Sequence, residues 1–91
     1  MTTVLEVYVT EDCQGCIEAR AIAEEMSTQF PVLDVRLIPI DQADVEAPED
    51  VFAVPTFVLQ GKVVSLGNPD RDELCRKIDA TIQTDSQHAP S

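Results

Sequence analysis

A single α/β domain with a small mixed sheet is predicted by three features of the sequence. A β-branched run at residues 3–9 passes through a short polar turn into a stripe of helical period. A second strand-like run follows that helix. A hairpin and a closing amphipathic helix complete the chain. At 91 residues it is short even for one domain, since single domains typically hold roughly 100–200. The expected order is β-α-β-(α)-β-β-α, a four-stranded mixed sheet flanked by helices. One domain is expected over residues 1–84, with 85–91 as a disordered tail.

Each element has its own reason. Thr3-Val4-Leu5-Glu6-Val7-Tyr8-Val9 alternates and is rich in β-branched residues, which reads as a strand. From Cys16 to about Phe30, Ala19, Ile22, Ala23, Met26 and Phe30 recur at steps of three and four, the stripe of a buried helix face. Pro31 stops that helix. Residues 32–38 form the second strand, with Pro39 at its end. A strand, helix, strand sequence implies a parallel pair with a right-handed crossover. The acidic segment from Asp41 to Asp50 supports only a short helix near Gln42–Glu46 or an irregular loop.

The run Val54-Pro55-Thr56-Phe57-Val58-Leu59 and the run Val63–Leu66 flank Gln60-Gly61-Lys62. So short a Gly-containing turn makes an antiparallel hairpin. Gly67-Asn68-Pro69 breaks the pattern. Asp70 or Asn68 is the candidate cap of a last helix, with Pro69 in its first turn. Leu74, Ile78 and Ile82 form its apolar stripe.

Seventeen acidic against six basic residues leave a formal charge of −11. A phosphate backbone would repel such a chain, so nucleic-acid binding is excluded as an expectation. Anionic membrane surfaces are disfavoured for the same reason. No apolar run approaches the ~20 residues of a membrane span, and the first residues do not read as a secretory signal. A cytoplasmic monomer is expected. The acidic stretch 41–50 reads as a solvated face or as a docking surface for a basic partner.

Three cysteines are present, two of them as Cys13-Gln14-Gly15-Cys16. This pair follows a strand and opens a helix. The first helical turn offers unpaired N–H groups and the positive dipole end. A thiolate there is stabilised, which lowers its pKa below the free value of about 8.5. The acidic neighbours Glu11 and Asp12 oppose that shift. Two intervening residues also let the sulfurs meet in a disulfide. Cys13 is then the exposed nucleophile, and Cys16, on the apolar stripe, the resolving thiol. Cys75 reads as a partly buried structural cysteine, Tyr8 as packing, and Lys62 as a turn residue.

A proline that opens an internal strand removes a ladder donor. Pro55 makes sense at a bend, with a cis bond as a further explanation. Such a bend leaves the N–H and C=O of Val54 free to pair with an extended peptide.

Together these motifs resemble the thioredoxin superfamily, in its small thioredoxin and glutaredoxin-like forms. The resemblance covers residues 3–83. It implies a thioredoxin-like fold and a thiol–disulfide oxidoreductase that reduces protein or small-molecule disulfides. By this resemblance Cys13 is the nucleophile, Cys16 the resolving cysteine and Pro55 the cis-proline facing the pair. The implied substrate-binding rim is Gln14, Gly15, Val54, Thr56 and Gly67. No bound cofactor is implied beyond a redox-active Cys13–Cys16 disulfide. The implied partners are a disulfide-containing protein substrate and a reductase of thioredoxin-reductase type, or glutathione. The chain departs from thioredoxins in lacking any Trp and in carrying Val7 where they hold a buried Asp. The rival reading is a soft-metal carrier for copper or zinc through the same cysteines. Small metallochaperones with such a pair end on a strand, whereas this chain is expected to end on a helix.

Overall fold

The computed structural model describes residues 3–11, 14–40 and 54–87. Its elements are β1 (Thr3–Val9), α1 (Gln14–Gln29), β2 (Leu33–Pro39), β3 (Thr56–Leu59), β4 (Lys62–Leu66) and α2 (Arg71–Gln87). The four strands form one sheet in the order β2-β1-β3-β4. β1 and β2 are parallel, with Thr3 beside Leu33 and Val9 beside Pro39. β3 runs antiparallel to both β1 and β4. This is the α/β class and the mixed sheet that the periodicities predict. The short helix or loop expected near Gln42–Glu46 lies outside the described residues.

The alternation of β1 sends Leu5, Val7 and Val9 to one face. There they meet Cys16, Ala19, Ile22, Ala23 and Met26 of α1, all buried, as the sequence stripe requires. Phe57 and Leu59 of β3 and Leu74 and Ile78 of α2 close the same core. The opposite face buries fewer of the described residues. Tyr8 and Val58 are buried there, with Ile38 and Ile40 packed against them.

The hairpin turns on two residues, Gln60 and Gly61, both with positive φ. That pairing of signs suits the twist of a tight hairpin. The non-glycine Gln60 is held in place from both its ends. Its N–H donates to Val4 O at 2.9 Å, and its side-chain oxygen accepts from Val4 N–H at 2.7 Å.

Several boundaries differ from the expectation: β2 covers Leu33–Pro39 instead of 32–38, and Lys62 opens β4 instead of lying in the turn. α1 starts at Gln14 rather than Cys16, so Gln14 and Gly15 belong to the helix. Pro69 precedes α2 instead of lying in its first turn. Asp70 is the cap, its Oδ1 accepting from Asp72 N–H at 2.8 Å and Glu73 N–H at 3.3 Å. The composition predicts a disordered tail from residue 85, yet α2 runs to Gln87. Once a helix is nucleated, each further residue adds one hydrogen bond for one fixed residue. Apolar periodicity is therefore a poor guide to where a docked helix ends.

Candidate functional site

One end of the sheet gathers the residues singled out by sequence. β1 ends there, and Thr10 and Glu11 follow. α1 begins there with Gln14, Gly15 and Cys16. Because β3 is antiparallel to β1, its first residue Thr56 pairs with Tyr8, near the last residue of β1. Thr56 also pairs with Leu66, the last residue of β4. Register alone thus brings Val54-Pro55-Thr56 and Gly67-Asn68 to the end where α1 starts.

Two hydrogen bonds tie these segments together. Gly67 N–H donates to Pro55 O at 2.7 Å. Asn68 Nδ2 donates to Gly15 O at 3.0 Å, joining the loop after β4 to the first turn of α1. Gly67 has φ +94°, a backbone that side chains with a Cβ rarely adopt, while the space around it is open. Conformation, and not crowding, calls for glycine there. Ser65 Oγ donates to Gly67 O at 2.8 Å and fixes the far side of this turn.

The peptide bond between Val54 and Pro55 is cis. Pro55 and Thr56 are buried, and Val54 is half-buried. Val54 makes no main-chain hydrogen bond to any described residue.

Cys16 is disulfide-bonded and only 1 % exposed. Cys75 is a free thiol. Cys13, expected as the nucleophile, lies outside the described residues, as does Asp12. A groove of about 370 Å³ beside Cys16 is lined by Thr10, Glu11, Ile17 and Arg20. Its two charged side chains, Glu11 and Arg20, have opposite sign. A larger groove of about 970 Å³ runs between α1 and α2, lined by Met26, Arg71, Cys75 and others. It does not include Cys16, so size alone points away from the chemistry.

Four residues enter this end of the molecule that sequence reasoning gave no site role. Asn68, expected only as a possible cap, is a crosslink to Gly15 instead. Arg20 lines the groove. Ile17, beside Cys16, is 75 % exposed, and Leu66, beside Gly67, is 55 % exposed. For Ile17 a signal exists in the sequence: it is a large apolar residue off the buried stripe of α1. Asn68 carries no such signal, because its partner is distant in sequence.

The remaining assignments are structural. Tyr8 is buried, and its hydroxyl donates to Glu6 Oε2 at 3.3 Å. Cys75 is half-buried with its thiol 3.7 Å from Met26 Sδ. Lys62 is exposed at the hairpin. Among the described residues, no three His, Cys, Asp or Glu side chains cluster as a metal site needs. No described helix is long and apolar enough to cross a membrane.

No family model matches the chain. It is 29% identical over 76 residues to the thioredoxin of Methanocaldococcus jannaschii, an alignment covering 81% of this chain and 89% of that protein. Among solved structures it superposes on mitochondrial thioredoxin 3 of Saccharomyces cerevisiae in its oxidized form. That match has a TM-score of 0.68 at 19% identity and covers 86% of this chain and 77% of the other. Fasciola hepatica thioredoxin gives a TM-score of 0.69 at 22% identity, covering 87% and 80%. The fold is thioredoxin-like, and in sequence the chain is similar to a thioredoxin.

Proposed function

We propose that this chain is a thiol–disulfide oxidoreductase that reduces disulfides through Cys13 and Cys16. The observation that carries the reading is Cys16 itself. It is a disulfide-bonded cysteine buried in the first turn of α1, at the end of the sheet that holds the cis Pro55. With Cys75 a free thiol, this supports Cys13 as its partner.

The chemistry balances without a bound cofactor. The Cys13 thiolate attacks one sulfur of a substrate disulfide, forming a mixed disulfide and expelling the other sulfur as a thiolate. Cys16, once deprotonated, attacks the Cys13 sulfur and releases the second substrate thiolate. The substrate has then gained two electrons and two protons, and the chain holds the Cys13–Cys16 disulfide. A reductase of thioredoxin-reductase type, or glutathione, returns it to the dithiol. Val7, fully buried, has no titratable group and cannot take the Cys16 proton.

Substrate recognition rests on three features. The main chain of Val54 can pair with an extended peptide beside the disulfide. Gln14, Gly15, Thr56 and Gly67 border that place. Ile17 and Leu66 offer exposed apolar surface to a substrate's side chains. Cys13 directly precedes α1 in sequence, and a helix N-terminus favours a thiolate, whereas Glu11 is exposed and its charge is screened by salt. Cys13 should therefore be alkylated faster than a free thiol at neutral pH.

Single-cysteine variants test the reading. Cys13→Ser should abolish reduction of a model protein disulfide. Cys16→Ser should instead accumulate a covalent mixed disulfide, visible as added mass that a reductant removes. Full turnover by Cys13→Ser, or no adduct on Cys16→Ser, would remove the enzyme reading.

A further inference from the structure

β2 is an edge strand, with β1 on one side and no described strand on the other. The hydrogen bond from Ile40 N–H to Val9 O, 3.0 Å, points toward β1. Main-chain groups of successive strand residues point to alternate sides, and the register of β1 with β2 carries no shift. Asp34, Arg36 and Ile38 therefore address β1. Val35 and Leu37 direct their N–H and C=O outward, together with the C=O of Leu33 and of Pro39. The N–H of Leu33 is already used by Phe30 O at 2.9 Å. The opposite edge is treated differently, because Lys77 Nζ reaches Val64 O of β4 at 3.4 Å. Among the described residues, nothing does the same for β2.

This edge strand has a self-complementary sequence. Pro31-Val32-Leu33-Asp34-Val35-Arg36-Leu37-Ile38-Pro39 is a pseudo-palindrome about Val35. Apolar residues mirror apolar residues, Asp mirrors Arg, and proline stands at both ends. Two such strands laid antiparallel about Val35 place each Asp34 against the other copy's Arg36. Leu33 meets Leu37, and Val32 meets Ile38. Opposite charges and apolar pairs directly across a ladder are stabilising, whereas like charges are not.

The outward main-chain groups match the same register. The two Val35 residues exchange a pair of N–H···O bonds. Each Leu37 N–H meets the other copy's Leu33 C=O. Pro39 and Pro31 have no N–H to offer, so the ladder ends where the palindrome ends. Val32, 65 % exposed, and Leu37, 45 % exposed, lose surface to the partner. Arg36 now bridges Asp34 of its own chain at 2.8 Å on open surface. Self-pairing gives each of these side chains a second partner of opposite charge.

We propose that β2 pairs with a second copy of itself, antiparallel and centred on Val35, joining two four-stranded sheets into one. This departs from the monomer expected from sequence. It rests on nothing in the redox reading. One seven-residue strand is a small interface, well below the roughly 1,600 Å² of a standard one. Each copy also carries a formal charge of −11. The dimer is thus weak and forms at high concentration, at an ionic strength that screens the long-range repulsion.

Sedimentation equilibrium of the full chain tests this, from micromolar to millimolar concentration, with reductant to exclude disulfide-linked species. The wild type should pass from monomer to dimer. Asp34→Arg puts arginine against arginine at both pairs, and Arg36→Asp puts aspartate against aspartate. Each single variant should weaken the dimer roughly tenfold, the effect of about 1.4 kcal/mol. The exchange Asp34→Arg with Arg36→Asp keeps opposite charges facing and should restore the wild-type constant. Amide exchange of Val35 and Leu37 should slow as concentration rises. A wild type that stays monomeric, or a double variant as weak as the single ones, overturns the proposal. So does a dimer indifferent to all three variants.

Discussion

Along β1, Leu5, Val7 and Val9 turn to the helices, while Glu6 and Tyr8 turn to the other side. The two faces of the same strand are built on different principles. The helix face is closed by apolar side chains from α1, α2 and β3. The other face, among the described residues, buries Tyr8 and Val58 beside a carboxylate that accepts the tyrosine hydroxyl. The site depends on the first arrangement. Cys16 is a member of the helix-face core, and Val54, just before the cis-proline, packs against it. Cys16 and Val54 thus share the core that holds the protein together.

That contrast can be broken by truncating neighbours on β3 that point opposite ways. Phe57 is fully buried on the helix face, and Val58 is buried on the other. Phe57→Ala should cost about 3–5 kcal/mol, near the whole stability of so small a domain. Val58→Ala should cost ~1–2 kcal/mol, from fewer methyl groups. Denaturant titration reads both. Equal losses would mean that the two faces contribute alike.

A smaller effect sharpens how the helix face is held. Asp70 satisfies two N–H groups at the start of α2, and Asp70→Ala should cost about 1 kcal/mol. Asp70→Asn keeps an acceptor and should recover most of that loss. A thermal melt that does not separate these two variants would show that the Asp70 cap adds nothing to holding α2.

The smallest effect belongs to the other face and is a matter of pH. The Tyr8 hydroxyl titrates above its usual value of 10.0, first because of burial, then because of the negative charge of Glu6 and the hydrogen bond to it. A pKa raised in the folded state favours the protonated phenol. Its contribution to stability is whole below the unfolded pKa of about 10 and is lost as pH rises through the folded value. The chain has one Tyr and no Trp, so tyrosinate absorbance reports this group alone. Glu6→Gln should move the midpoint down, but not to the free value, since burial remains. A midpoint at or below that of free tyrosine would contradict the packing described for this face.

Much of the site is legible in the order of residues alone. Cys16 falls on the helical stripe and is buried, as its spacing with Ala19, Ile22, Ala23 and Met26 requires. Pro55 stands out because a proline is costly inside a strand. Gly67 is conspicuous as a breaker after β4. Less legible are Asn68 and Arg20, whose roles come from neighbours that lie far away along the chain or across a groove. The cap shows the same limit. Asn68 and Asp70 are equivalent candidates in sequence, and only the path of the loop assigns Asp70 to α2 and Asn68 to Gly15.

Sequence by itself determined the elements and their buried faces. A strand writes its burial into every second residue, and a helix into every third or fourth, so both are local properties. It also determined the charge and the spacing of Cys13 and Cys16. Tertiary structure alone decided the order β2-β1-β3-β4 and the pairing of Thr56 with both Tyr8 and Leu66. It alone decided the bonds that draw Gly67 to Pro55 and Asn68 to Gly15. Those contacts join residues far apart in the chain. Their geometry depends on which strands become neighbours, which no local periodicity encodes.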